Sequence, residues 1–229
     1  MVDKQEINVV KRGVRGKEPL NIDKIHDMVE YAVEDIKGVS SSQVEMNSGL
    51  QFYDGMTTDD IQQILIKSAA DLISLDNPNY QYVAARLLLY SLRKQVIDKL
   101  WDHPHIYEDA KKGVEIKDFD RMENWINHER DYTFTYAGLR QVIDKYLVQD
   151  RSNNNVFETP QMMYMMIAAT VFSQYSKEKR MTYVKKYYDA ISQFKINIPT
   201  PVMAGVRTPL KQYASCVLVD TDDTLPSIF

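Results

Sequence analysis

The stretch INIPTPVMAGVRTPLKQYASCVLVDTDDTLPSIF, residues 196–229, decides how this chain reads. It holds the one cysteine of the sequence, Cys216, and then the acidic run Thr221-Asp222-Asp223-Thr224. Its texture differs from everything before it. Pro199, Pro201 and Pro209 argue against helix, because proline lacks an amide donor and clashes with the preceding turn. Val202-Met203-Ala204 and Ser215-Cys216-Val217-Leu218-Val219 are short apolar runs, each expected to be a buried strand. Chains usually close on a capping helix, a docked strand or a polar tail. Ser227-Ile228-Phe229 is none of these, and the expectation is of a fold that opens here rather than closes.

Working outward, residues 177–195 have the spacing of an amphipathic helix. Before it, Thr159-Pro160 starts a helix with Met162, Met163, Met165 and Met166 on its faces. Methionine fills irregular gaps, so that face is expected in the core. Asp150-Arg151-Ser152-Asn153-Asn154-Asn155 is a polar turn. Residues 118–147 read as helical, with Met122, Trp125, Ile126, Leu139, Val142, Ile143 and Tyr146 as apolar faces. His128-Glu129-Arg130-Asp131 within it is either a histidine–carboxylate catalytic pair or, more simply, an interhelical ion pair. Trp101 to Asp120 is a charged connector. His103 and His105 lie in its Pro-containing turn without a third ligand nearby, so they read as loop histidines and no metal site is expected.

The N-terminal part has its own pattern. Residues 7–20 read as a β-hairpin, with Gly13 and Gly16 at its turn. Lys11, Arg12, Arg15 and Lys17 surround those glycines. Bare amides and cations at a tight turn suit a phosphate; solvated surface charge is the plainer alternative. Asn21-Ile22-Asp23 starts a helix with Ile22, Ile25, Met28, Val29, Ala32 and Val33 on one face. A short helix follows through Val44 to Leu50. Thr57 or Thr58 caps a third, Asn77-Pro78 ends it, and Tyr80 to Val96 forms a fourth. Lys94 near its end complements the helix dipole.

Composition sets the outer bounds. The chain has 229 residues, 44% hydrophobic and 26% charged, which suits one large or two smaller globular domains. Net charge is −4, so no general attraction to nucleic acid or an anionic membrane is expected. One cysteine excludes an intrachain disulfide and a cysteine-built metal site. No apolar N-terminal leader or membrane-length run occurs, which fits a cytoplasmic setting. No phosphate-loop or dinucleotide glycine motif is present.

The residues quoted so far carry a resemblance. Pro199-Thr200-Pro201-Val202-Met203-Ala204-Gly205-Val206-Arg207-Thr208-Pro209, followed by Gln212-Tyr213-Ala214-Ser215-Cys216-Val217-Leu218, resembles the first strands of the ten-stranded barrel of class I ribonucleotide reductase large (alpha) subunits. Val10-Lys11-Arg12, Asn21 with Asp23-Lys24-Ile25, Asp54-Gly55 with Thr58, and Tyr80-Gln81-Tyr82-Val83-Ala84-Ala85-Arg86 resemble the ATP-cone of that family. His128-Glu129-Arg130-Asp131 with Phe134-Thr135-Tyr136, Lys145-Tyr146-Leu147-Val148 and Glu158-Thr159-Pro160-Gln161 resemble its helical domain. The implied fold is mainly α with a small β component. Residues 1–97 would be an ATP-cone of a hairpin plus four helices, 98–195 a helical domain, and 196–229 the first, incomplete strands of the barrel.

The resemblance also implies roles. Cys216 would be one of two redox cysteines that reduce the ribose and end as a disulfide. Thr200 and Ser215 would bind the substrate nucleoside diphosphate with it. Asp223, Thr224 and Leu225 would open the specificity site for an effector nucleotide. Lys11, Arg12, Glu18, Asn21, Lys24, Thr58 and Lys94 would form the overall-activity site for ATP or dATP. The implied partners are a small, metal-containing subunit that generates the radical, a second copy of the large subunit, and thioredoxin or glutaredoxin as external reductant.

Three departures stand out. The cone hairpin Gly13-Val14-Arg15-Gly16-Lys17 is rearranged and more basic than the family pattern. Gln62 and Ser91 occupy positions where some strongly dATP-inhibited members have histidines, which implies ATP binding with weak dATP shut-off. The radical cysteine and the second redox cysteine of the family have no counterpart in the sequence. The expectation is therefore the N-terminal piece of a split large subunit completed by a second polypeptide. A stand-alone nucleotide-binding regulatory or interaction module, and a fragment of a full-length enzyme, are the alternatives.

Overall fold

The computed structural model describes residues 7–11, 16–49, 51–96, 116–210 and 212–228. Arg12 and the histidines 103 and 105 lie outside the described residues, as does most of the expected connector. The chain groups into two compact units. One takes Met1–Lys99 with Asn127–Pro160; the other takes Leu100–Ile126 with Gln161–Phe229.

In the first unit the expected hairpin forms. Strand β1 (Asn8–Val10) pairs antiparallel with β2 (Lys17–Pro19). A third strand, β3 (Met56–Thr57), pairs parallel with β1, giving the order β2-β1-β3. The sequence reading lacked β3, since two residues carry no period. Four helices follow the sequence pattern: α1 (Ile22–Val33), α2 (Ser41–Gly49), α3 (Thr58–Asp71) and α4 (Tyr80–Gln95). Val29, Ala32, Val44, Leu65, Ala69, Val83 and Leu87 are buried and form the core they share with β1 and β3. Removing these apolar groups from water is the main stabilising contribution, about 25 cal/mol per Å² of apolar surface. Ile22, by contrast, is mostly exposed, so the apolar face of α1 is narrower than its sequence suggests.

The expected continuous helix over 118–147 is broken. Helix α5 (Ile116–Trp125) lies in the second unit, and the first unit holds a 3-10 helix (His128–Thr133) and α6 (Tyr136–Lys145). Side-chain caps cause the breaks. Asn127 Oδ1 accepts from the Glu129 amide at 3.0 Å, and Thr135 Oγ1 accepts from the Gly138 amide at 3.2 Å. Each cap restarts the helix with extended backbone at the capping residue. The polar turn 150–155 closes a two-stranded ribbon of β4 (Gln149–Asp150) and β5 (Asn155–Val156).

Two long helices of the second unit match the reading: α7 (Pro160–Val171), with Met163, Met165 and Met166 fully buried, and α8 (Lys177–Ser192). The barrel strands expected in 196–229 do not form. Thr200–Gly205 is a short helix, α9, capped by Pro199, with Pro201 in its first turn. The first-turn amides of a helix have no intrahelical acceptor, so proline is tolerated there. The Val202 amide donates to Pro199 O at 3.0 Å and the Val206 amide to Val202 O at 3.2 Å. Residues 212–220 have no regular structure and are exposed, with Leu218 at 102%. A strand exists only as part of a hydrogen-bonded ladder, and among the described residues none pairs with this run. The short helix α10 (Leu225–Ile228) follows. The architecture is thus mainly helical with few strands.

Candidate functional site

The expected nucleotide residues of the first unit fall on the edges of the small sheet and the helix ends beside it. Parallel pairing of Val10 with Thr57 sets the next residues, Lys11 and Thr58, at adjacent register positions. Antiparallel pairing brings Glu18 opposite Val9, and Lys11 Nζ meets Glu18 Oε1 at 2.6 Å. Both side chains are well exposed. An exposed pair of this kind contributes about 0–1 kcal/mol, so an incoming anion can take the ammonium from Glu18 at little cost.

The helix starts are set by caps. Asn21 Oδ1 accepts from the Lys24 amide at 3.0 Å, and Lys24 itself is exposed. Thr57 is the cap of α3: its hydroxyl accepts from the Asp60 amide at 3.0 Å and its own amide donates to Asp60 Oδ2 at 3.0 Å. Those bonds from Thr57 hold the Asp60 carboxyl below its usual range. Thr58 is therefore the first residue of α3 rather than its cap.

Asp54 and Gly55 explain why the sheet edge is set where it is. Asp54 Oδ2 accepts from Lys17 Nζ at 2.9 Å, and Oδ1 accepts from the Asn8 amide at 2.9 Å and from Asn8 Nδ2 at 3.1 Å. Lys17 first, then Asn8, lower the carboxyl pKa to about 2. Gly55 has φ +85°, and a Cβ there would stand 3.0 Å from Lys17 Nζ. A turn that tight beside a cation requires glycine.

Lys94 belongs to the same end of the unit. The short link at Asn77-Pro78 folds α4 back against α3, and Gln62 Nε2 donates to Leu87 O at 2.9 Å. That register sets the first turn of α3 beside the last turns of α4, with Thr58 and Lys94 at one end. Lys94 Nζ lies 4.4 Å from the Tyr90 ring centroid. Gln62 is buried in its bond to α4, and Ser91 is half-buried. Register thus gathers Lys11, Glu18, Thr58 and Lys94 toward one end of the small sheet, whereas Asn21 and Lys24 follow the end of β2 that lies opposite the start of β1.

The His128–Asp131 cluster is structural, as the ion-pair reading expects. Asp131 is fully buried, and Arg93 of α4 approaches its Oδ2 at 3.5 Å. Arg93 also donates to His128 O at 2.6 Å and to the Tyr132 hydroxyl at 3.2 Å. Burial, and then the charge of Arg93, push the His128 pKa down to about 4, so the ring is neutral at pH 7. Arg93 and Tyr132 were not singled out from sequence. Arg86, seen there only as part of a motif, joins them. Arg86 and Arg93 each hold a guanidinium carbon 5.2 Å from the Tyr132 ring centroid.

In the second unit the residues expected around the substrate are spread over exposed segments. Thr200 is the exposed first residue of α9. Cys216 is a free, exposed thiol with Ser215 Oγ 3.9 Å from its sulfur. Asp223 and Thr224 lie in the turn before α10, where the Ser227 and Ile228 amides each donate to Thr224 O at 3.1 Å, and Leu225 is its first residue. Among the described residues no group of three or more His, Cys, Asp or Glu is placed to hold a metal ion. No helix there is long and apolar enough to cross a membrane.

Comparison with known proteins sharpens this geometry. Residues 7–95 match the ATP cone domain family, and residues 132–211 match the ribonucleotide reductase all-alpha domain family. The ribonucleoside-diphosphate reductase subunit alpha of Haemophilus influenzae is 47% identical over 93% of this chain and 30% of its own length. The ribonucleoside-diphosphate reductase 1 subunit alpha of Escherichia coli is 45% identical over 98% of this chain and 31% of its own. The subunit alpha of Helicobacter pylori is 38% identical over 97% and 29% respectively. The chain therefore spans about 30% of the length of these relatives.

Proposed function

We propose, from the premise that this chain belongs to the N-terminal region of the ribonucleoside-diphosphate reductase alpha family, that it serves the conversion of ribonucleoside diphosphates to deoxyribonucleoside diphosphates. In this reading residues 1–97 are the ATP-cone, 98–195 the helical domain and 196–229 the first part of the barrel. ATP or dATP is the effector at the cone. The observation that carries the reading is the parallel β1–β3 register, which brings Lys11 and Thr58 together at the capped start of α3.

The residues fit a nucleoside triphosphate. Lys11 sits in an exchangeable ion pair, Lys24 is exposed, and Lys94 stands at the same end as Thr58. Together with Arg12 they supply cations for a polyphosphate. Glu18 and Asn21 supply hydrogen-bond acceptors for the nucleoside. Because Gln62 is committed to Leu87 O and has no imidazole to offer, dATP is expected to inhibit weakly. Inhibition of about tenfold by micromolar dATP in a reconstituted enzyme would overturn that point.

Cys216, Thr200 and Ser215 act at the ribose. Reduction at C2′ releases the 2′-oxygen as water, while two thiols give up two electrons and become a disulfide. Cys216 is one thiol, and these 229 residues hold no other cysteine to serve as the second thiol or the radical cysteine. Asp223, Thr224 and Leu225 contribute to the specificity site. The small radical-generating subunit, a second large subunit and thioredoxin or glutaredoxin complete the cycle in the cytoplasm. Mass spectrometry of the native complex distinguishes a second polypeptide bearing the rest of the barrel from a continuous chain.

The test has two arms. Titration calorimetry with ATP should show saturable binding that Lys11→Ala weakens by about tenfold or more. Cys216→Ser in the assembled enzyme should abolish turnover and leave ATP affinity unchanged. Absence of ATP binding overturns the cone assignment, and turnover that survives Cys216→Ser overturns the redox role.

A further inference from the structure

The Arg86–Tyr132–Arg93 cluster joins two segments that the nucleotide reading treats separately. We infer that Tyr132, held by both arginines, is a positioning residue that transmits nucleotide occupancy of the cone to residues 127–135. This rests on the proposed nucleotide site and names how that site is coupled to the chain beyond it.

Three observations meet at Tyr132. First, both arginines come from α4, seven residues apart, or about 10.5 Å along the axis. Each guanidinium carbon nevertheless lies 5.2 Å from the same ring centroid, so one ring spans two turns of helix. A guanidinium over a tyrosine ring is attracted by the ring quadrupole. Second, each arginine is also tied to an element that bears nucleotide-site residues. Arg86 donates to Glu34 O at 2.5 Å, at the end of α1, the helix that starts at Asn21 and Lys24. Arg93 is the immediate neighbour of Lys94. Third, the receiving segment is bound to the same charges. Arg93 bonds His128 O and approaches the buried Asp131 carboxylate, and the Tyr132 hydroxyl contacts the Tyr31 hydroxyl of α1.

The physical consequence is direct. A polyphosphate that draws on Lys94 and on the start of α1 loads both helices that hold Tyr132. Any relative shift of α1 and α4 changes the two guanidinium–ring contacts together, and the 3-10 helix must follow, because its buried Asp131 faces Arg93 and leaving that charge costs desolvation. Coupling through a packed element with two arrangements is how ligand occupancy at one place biases another.

Hydrogen exchange on the 229-residue chain with and without ATP tests this. The amides of Arg130 and Phe134, which donate to Asn127 O and Asp131 O, report on the 3-10 helix. The expected result is exchange slowed about fivefold there and in residues 8–24 when ATP is bound. Tyr132→Leu should lose the response at 127–135 and keep it at 8–24; Tyr132→Phe, which retains the ring, should keep both. Protection confined to 8–24 in the unsubstituted chain overturns the coupling and leaves the nucleotide reading standing. No protection anywhere overturns both. If Tyr132→Leu does not fold, Arg86→Met serves in its place, and a response at 127–135 unchanged in that variant overturns the proposal.

Discussion

The cone part of the first unit and the segment 212–224 of the second are built on opposite terms. Between Asn8 and Gln95 nearly every element is closed from within, by strand pairing, two helix caps, and Asp54 pinning Asn8 and Lys17. Residues 212–224 are exposed throughout, including Val217 at 72%, Leu218 at 102% and Val219 at 74%. Both segments carry apolar residues in strand-like or helical patterns. The difference is whether a neighbour exists to bury them, which shows that an apolar pattern specifies structure only together with the surface it packs on.

The largest expected effect tests the closed half. Leu65 is fully buried between the helices of the cone. Leu65→Ala should cost about 2–5 kcal/mol by lost burial and the cavity left behind, read from urea unfolding. A loss under about 1 kcal/mol would mean that this core is loosely packed and that the contrast with 212–224 is one of degree.

A second effect separates structural from surface histidines. Burial and the Arg93 charge hold the His128 pKa at about 4 in the folded chain, below the ordinary histidine value of 6.5. The unfolded chain binds the proton more readily, so the stability from neutral His128 is full above pH 6.5 and falls as pH drops from there toward 4. The ring keeps part of its hydration, so the slope should stay below ~1.4 kcal/mol per pH unit. His26, which gains Glu45 at 2.7 Å, has a raised pKa and acts in the opposite sense. Its contribution is present below its unfolded value and is lost as pH rises through the folded one. Urea midpoints between pH 7 and pH 4.5 should therefore fall less steeply in His128→Gln and more steeply in His26→Gln.

A smaller effect concerns the caps. Thr57→Ala removes the hydroxyl that accepts from Asp60 and should cost about 1 kcal/mol. Thr57→Ser keeps the oxygen and should lie close to the unsubstituted chain. Equal losses in both variants would assign the effect to the packing of the threonine methyl.

These caps also explain what could be read from the residues alone. Asn21 and Thr57 mark helix starts by side-chain chemistry, and Asn77-Pro78 marks the break before α4, so α1 to α4 were legible, although α3 already ends at Asp71, short of that break. So were the hairpin, the buried methionines and the ion-pair role of the 128–131 cluster. Asn127 and Thr135 carry the same capping signal, and giving them the weight given to Asn21 would have split the helix expected over 118–147. Strand β3 was hidden for another reason: its pairing is non-local, and two residues show no alternation. Lys11 and Thr58 were named from the family motif, but their adjacency follows only from that parallel pairing. The Arg86–Tyr132–Arg93 cluster was equally out of reach, because the tyrosine lies far along the chain from the two arginines.

The smallest expected effect is the one that can most directly break the contrast. Leu218 has no protein surface against it, so Leu218→Ser removes no buried area and should change the unfolding free energy by less than about 0.5 kcal/mol. Cys216→Ser, at an equally exposed position, should behave alike. The same Leu218→Ser substitution in an assembled reductase should be costly, because the barrel-strand reading of residues 215–219 places that side chain against a neighbouring strand. Measuring both states in parallel separates the alternatives. A large loss in the isolated chain means the segment already packs on its own unit, whereas a null result in both means its apolar run is never buried and the strand reading fails.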